Sequence, residues 1–151
     1  MGYDQQIYVK HYLRTNKQKI DSKEMIEKYF VKPDGTKLII SGMPKASCIL
    51  EDIYYTKGFF TLDKFLTYHR EISYPGTCCI TYEDLENFSN LCVRALAKKS
   101  IKHAKEIFGS ILDNSDFEMP ECFWRKAKEF VNVFREIPKT YRDETFEYEV
   151  Y

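Results

Sequence analysis

The chain is poor in the residues that enzymes use for signature loops. Only six of its 151 residues are glycine. None falls in a P-loop, a Rossmann G-x-G-x-x-G or a G-x-S-x-G elbow, so no segment is built to cradle phosphate or to present a nucleophilic serine. H-E-x-x-H is absent. The three histidines, His11, His69 and His103, stand apart in the sequence, and none belongs to an H-x-T or H-x-S pair, so a two-histidine phosphoesterase is not supported. No apolar run approaches the roughly 20 residues that cross a bilayer. The opening MGYDQQIYVK has no basic stretch followed by an apolar one, as a signal peptide would. It begins Met-Gly, but Gln6 stands where a myristoylation signal has Ser or Thr.

An excess of charge of either sign is also missing. The chain carries 23 basic and 23 acidic residues, so the strong basic balance of a nucleic-acid-binding protein is absent. The first half is slightly basic and the second slightly acidic. Five cysteines, an odd number, cannot all pair within one chain: Cys48, Cys78, Cys79, Cys92 and Cys122. There is no C-x-x-C, and the adjacent Cys78-Cys79 is a poor start for a zinc site. They read as reduced, mostly buried thiols of a cytoplasmic protein, with no metal and no cofactor expected.

What the chain does have is aromatic residues: twelve Tyr, eleven Phe and one Trp. Exposed tyrosines offer large contact area with few rotatable bonds, as binding surfaces do. A Tyr-rich sheet face uses the same residues without binding anything, and is the plainer reading. At 44% hydrophobic and 30% charged, the composition is that of one globular domain with a core of its own.

The spacing predicts a first strand from Tyr3 to Lys10, with Ile7 and Val9 on one face. A basic loop follows, then a short helix capped by Asp21 or Ser22 with Met25, Ile26, Tyr29 and Phe30 on one side. Pro33-Asp34-Gly35 reads as a turn, and residues 37–41 as a short strand. Residues 47–60 fit either a strand or a helix plus loop. Thr61 reads as the cap of a helix over residues 62–71, which Tyr74-Pro75-Gly76 breaks. Thr81-Tyr82-Glu83-Asp84 has the pattern of a capping box, though Asp84 is shorter than the usual Glu. Leu85, Phe88, Cys92, Ala95 and Leu96 mark one face of the helix behind it. Ser100 kinks or restarts that helix, and Asp113 to Glu118 is an acidic loop. Pro120 opens a last helix with Phe123, Ala127, Phe130, Val131 and Phe134 as its stripe. Residues 145–151 alternate as a closing strand. The expected fold is therefore α+β: a small antiparallel or mixed sheet including both terminal strands, packed with four to five helices, in a single domain over 1–151.

Two constellations could carry chemistry. Cys78 or Cys79 could act as a nucleophile with His69 as its base; paired thiols beside a turn are more often structural, and His69 on an apolar helix face is more often a satisfied core residue. Arg94, Lys98, Lys102 and Lys105 recur at i, i+4, i+8 and i+11, and on one continuous helix they would form a basic stripe able to track phosphates. The plainer reading is a solvated face near a helix C-terminus.

Met1-Gly2-Tyr3-Asp4 followed by Ile7-Tyr8-Val9, the segment ITYEDLENFSNLCVRAL and the closing Phe146 to Tyr151 together resemble a group of small phage and bacterial proteins that begin M-G-[YL]-D. The resemblance covers about half the chain, excludes residues 15–75 and carries over no catalytic residue. It implies a small non-virion protein in the cytoplasm of an infected bacterium. The expected function is then that of a phage accessory protein, of host-takeover or anti-defence type, which binds a host protein or self-associates as a homo-oligomer without catalysis. A nucleic-acid or nucleotide-binding protein using the basic stripe and exposed tyrosines is the alternative, and an enzyme of unrecognised type comes third.

Overall fold

A computed structural model describes residues 3–42, 47–68, 70–72 and 74–151. The chain divides into two compact units, one made of residues 1–9 and 51–151 and the other of residues 10–50. The elements in order are β1 (Asp4–Tyr12), α1 (Asn16–Tyr29), β2 (Cys48–Lys57), α2 (Phe60–Thr67), β3 (Gly76–Ile80), α3 (Tyr82–Leu96), α4 (Ile101–Phe108), α5 (Pro120–Glu136) and β4 (Thr145–Val150). The strands form one antiparallel sheet in the order β2-β1-β4-β3. First and last strands lie side by side: the Asp4 and Tyr151 amides each donate to the other's carbonyl, at 2.9 and 3.0 Å.

In the larger unit the period of two decides which strand residues go inward. Gln5, Ile7 and Val9 of β1 and Phe146, Tyr148 and Val150 of β4 are buried, while their neighbours stay half-exposed. Against that face lies a core of phenyl rings. Phe88 on α3 meets Phe130 on α5 edge-on at 4.9 Å, Phe59 at 5.7 Å and Phe108 at 6.0 Å. Such geometries add roughly 0.5–1.5 kcal/mol per pair beyond the area they bury. The Thr81 box forms in full despite its short carboxylate: Asp84 donates its amide to Thr81 Oγ1 at 3.1 Å, and Thr81 returns its own to Asp84 Oδ2 at 2.8 Å.

Local reading fails where the partner is distant in sequence. Thr61 does not cap α2. The cap position is Phe59, which offers no side-chain acceptor, and the acceptor comes from Asp116 in the segment expected to be an acidic loop. That segment is a 3-10 turn (Asn114–Phe117), and its buried Asp116 accepts the amides of Phe60 at 3.1 Å and Thr61 at 2.7 Å and the Thr61 hydroxyl. The ambiguous residues 47–60 are mostly β2, which buries Tyr54 and Thr56 at its end.

In the smaller unit, α1 starts seven residues earlier than the Ser22 cap would allow, and six earlier than the Asp21 cap. Thr15 and Gln18 make a second capping box, with the Gln18 amide on Thr15 Oγ1 at 3.2 Å and the Thr15 amide on Gln18 Oε1 at 3.1 Å. The Pro33–Gly35 turn is present: Gly35 takes φ 86°, which a residue with a Cβ rarely adopts, and Asp34 accepts the Thr36 amide at 2.9 Å. Residues 37–41 form no strand; only Val31 and Lys37 bridge.

Candidate functional site

The cysteine candidates lie on β3, where Cys78 stands opposite Tyr148 and Cys79 opposite Glu147. Cys79 is exposed and Cys78 half-buried. Burial pushes the Cys78 thiol up; the positive charge of Arg70 opposes this, but Cys79, Asp63 and Asp84 add to it. A nucleophile needs the opposite arrangement, an electropositive pocket that favours thiolate. His69, its expected base, lies outside the described residues. Arg70 is held by the Asp84 carboxylate at 2.7 Å and by the carbonyls of Leu66 and Cys79.

Beside Cys78 runs a buried polar chain. The Tyr148 hydroxyl donates to Asp63 Oδ1 at 2.7 Å and accepts from Gln5 Nε2 at 2.9 Å. Gln5 also clamps the Phe59 backbone, donating to its carbonyl at 3.0 Å and accepting its amide at 2.6 Å. Burial, reinforced by Asp63, raises the phenols of both Tyr148 and Tyr3. Both therefore stay protonated donors to one carboxylate. The chain ties β1 and β4 to the start of α2, and Gln5 and Tyr148 are each fully buried. Each of its buried polar groups has a hydrogen-bond partner.

The basic stripe requires one continuous helix, and the helix is broken. α3 ends at Leu96, Lys99 turns to φ 47°, and Ser100 caps a new helix by accepting the His103 amide at 3.4 Å. Arg94 thus sits on α3, Lys98 in the connecting turn, and Lys102 and Lys105 on α4. All four are exposed, but the spacing that placed them on one face does not carry across the break. His103 closes the corner through Nε2 on the Arg94 carbonyl, 3.1 Å away.

The surface that stands out belongs to residues 10–50. No hydrophobic residue described in that stretch is buried. Tyr29 is 68% exposed, Phe30 62%, Val31 61% and Ile39 79%. The sequence pattern puts Met25, Ile26, Tyr29 and Phe30 on one face of a helix; Ile26 is half-buried there, and the other three are exposed. Periodicity shows that a face exists and says nothing of what covers it. The same stretch holds nine Lys and Arg against four Asp and Glu, a formal excess of five positive charges in a chain that is neutral overall. Lys28 and Lys32 flank the Tyr29–Val31 run, and the Lys28 ammonium lies 5.2 Å from the centre of the Tyr29 ring.

Among the described residues no group of three His, Cys, Asp or Glu side chains could hold a metal ion, and no helix is long and apolar enough to cross a membrane. Comparison of the chain with family models, curated proteins and solved structures finds no match to any of them.

Proposed function

We propose that this protein is a non-enzymatic binding factor that engages a partner protein through the aromatic and aliphatic surface of residues 10–50. In the setting that the M-G-[YL]-D resemblance implies, it is a phage accessory protein and the partner is a protein of the bacterial host. The observation that carries the reading is the exposure of Tyr29, Phe30, Val31 and Ile39 in a stretch that buries no hydrophobic residue of its own. Scattered single apolar residues on a surface need no explanation, but a run of three large ones flanked by lysines has the composition of an interface centre. The raised Cys78 thiol weighs against reading that residue as a nucleophile.

Cross-linked pull-down from host lysate, with and without nuclease, tests this when run on the wild type and on a Tyr29→Ser/Phe30→Ser variant. A stoichiometric protein that survives nuclease and is lost with the variant supports the proposal. Retention of that protein by the variant refutes it. The nucleic-acid reading is favoured by a separate observation, the five-charge basic excess of residues 10–50 together with exposed Tyr12 and Tyr29. Recovery of nucleic acid alone would establish that reading in its place.

A further inference from the structure

A second surface, on the larger unit, is built to a different pattern. Between the C-terminal halves of α3 and α5 runs an open groove of about 480 Å³. α3 lines it with Val93 and Leu96, one helical step of three apart, and α5 with Lys128, Val131 and Arg135, at i, i+3 and i+7. The aliphatic floor comes from Val93, Leu96 and Ala97 on the α3 side and from Val131 alone on α5, whose other lining residues, Lys128, Asn132 and Arg135, are polar or charged. Val131 forms the buried bottom and Val93, 42% exposed, a wall. An apolar floor between two packed helices is a place where the apolar ridge of a third helix can seat.

The rim is cationic: Lys99 just past the end of α3, and Lys128 and Arg135 on α5. None of the three forms an ion pair among the described residues, whereas Arg125 on the same helix is paired with Glu129 at 3.1 Å and Lys126 donates to the Gly58 carbonyl at 2.9 Å. We infer that this groove seats an amphipathic helix of a partner protein whose apolar face meets Val93, Leu96 and Val131 and whose flanking carboxylates meet Lys99, Lys128 and Arg135. The rim charges steer and orient such a helix, and the aliphatic floor supplies its burial. Nucleic acid is the poorer occupant. The groove offers its bases no aromatic ring to stack on, and an aliphatic floor would strip water from phosphates without replacing it. This site is separate from the surface of residues 10–50, and either can fail without the other.

Panning two display libraries of amphipathic helices, one with an acidic polar face and one with a basic face, tests the inference. The acidic library should enrich. The selected peptides should bind the wild type and the Tyr29→Ser/Phe30→Ser variant equally, which separates this site from the first. Binding should weaken by about tenfold or more in Lys128→Glu/Arg135→Glu and fall with rising salt. Val93→Asp should abolish it while leaving the melting temperature nearly unchanged, because that side chain is already substantially exposed. Enrichment of the basic library, enrichment of neither, or selected peptides indifferent to the charge reversal would overturn the inference. So would a 20-nucleotide single strand that binds the wild type and loses binding in the same double variant.

Discussion

Replacing Asp116 with alanine isolates a cap that the helix it serves does not contain. The start of α2 has no acceptor of its own, and the Asp116 carboxylate accepts the Phe60 and Thr61 amides and the Thr61 hydroxyl. Loss of an ordinary helix cap costs about 0.5–2 kcal/mol. Here the loss is larger, because Thr61 is fully buried and its amide would be left without water to replace the carboxylate, at about 1–3 kcal/mol for a buried orphan donor. An opposing effect trims the total. Burial pushes the Asp116 carboxyl up, while the bonds from Thr61 and Phe60 and the charge of Lys126 pull it back without fully compensating, so part of the bonding energy only offsets desolvation. The net cost of Asp116→Ala is therefore about 2–4 kcal/mol, a large share of the roughly 5–15 kcal/mol that holds a domain together. Asp116→Asn keeps one acceptor oxygen and should cost about half as much.

Urea unfolding followed by the fluorescence of Trp124 reads this directly. The only tryptophan packs on Phe117, the residue next to Asp116, with ring centroids 5.9 Å apart. The unfolding slope should stay constant while the midpoint falls. A Thr61→Val/Asp116→Ala double variant should lose less than the two single losses added together, since each single change already breaks the shared bond. A loss below about 0.5 kcal/mol for Asp116→Ala, the range of an ordinary surface substitution, would refute the reasoning.

Three further outcomes are expected. Phe88→Ala and Phe130→Ala should each cost about 3–5 kcal/mol in the same unfolding experiment, with Leu96→Ala and Phe134→Ala costing less because both side chains are only partly buried against the core; equal losses for all four would mean that the faces are wrongly assigned. Asp113 should contribute a pH-dependent share of stability: burial by itself would raise its carboxyl, but the Ser115 amide and hydroxyl and the Lys64 ammonium hold it below the usual range. Its share is thus present above the unfolded value of about 3.9 and lost as pH falls through the lower folded value, and the stability deficit of Asp113→Asn should shrink on acidification below that point. The Cys78 thiol should alkylate more slowly at pH 7.4 than an unhindered cysteine, since burial disfavours its thiolate; rapid alkylation of Cys78 at that pH would restore it as a nucleophile.

Much of the fold is legible because its signals are local. The alternation of Phe146, Tyr148 and Val150, the Thr81–Asp84 box and the stripe from Phe123 to Phe134 each lie within one element, and each forms where the sequence places it. The signal for α1 is equally local, a Thr15-x-x-Gln18 box, but no strong apolar period follows it, so the search for periodicity starts the helix too late. Other features depend on partners that no window contains. Asp116 lies 55 residues beyond Thr61. Residues 37–41 have strand composition, but apart from the single bridge at Lys37 they have no neighbouring strand among the described residues, and an apolar run without a ladder is not a strand. The break at Lys99 and Ser100 removes the stripe that depended on the helix continuing.

Charge shows most clearly why the candidate surfaces were hard to read. The zero net charge of the chain argues against a polyanionic partner only if charge is spread evenly. At physiological salt a surface feels charges within about 8 Å and little beyond. Residues 10–50 carry a formal excess of five positive charges, so the rest of the chain carries five negative ones, and neutrality is the sum of two surfaces of opposite sign. Within the acidic remainder, Lys99, Lys128 and Arg135 still converge on one aliphatic groove without a counter-charge among them. The spacing of lysines along one helix could not reveal this, because Lys99 follows the end of α3 while Lys128 and Arg135 lie on α5, and they meet only when α3 and α5 pack. Both surfaces pair exposed apolar side chains with lysine or arginine. A protein segment that brings its own acidic residues around an apolar face answers that pattern more fully than a polyphosphate chain, which brings the charge alone.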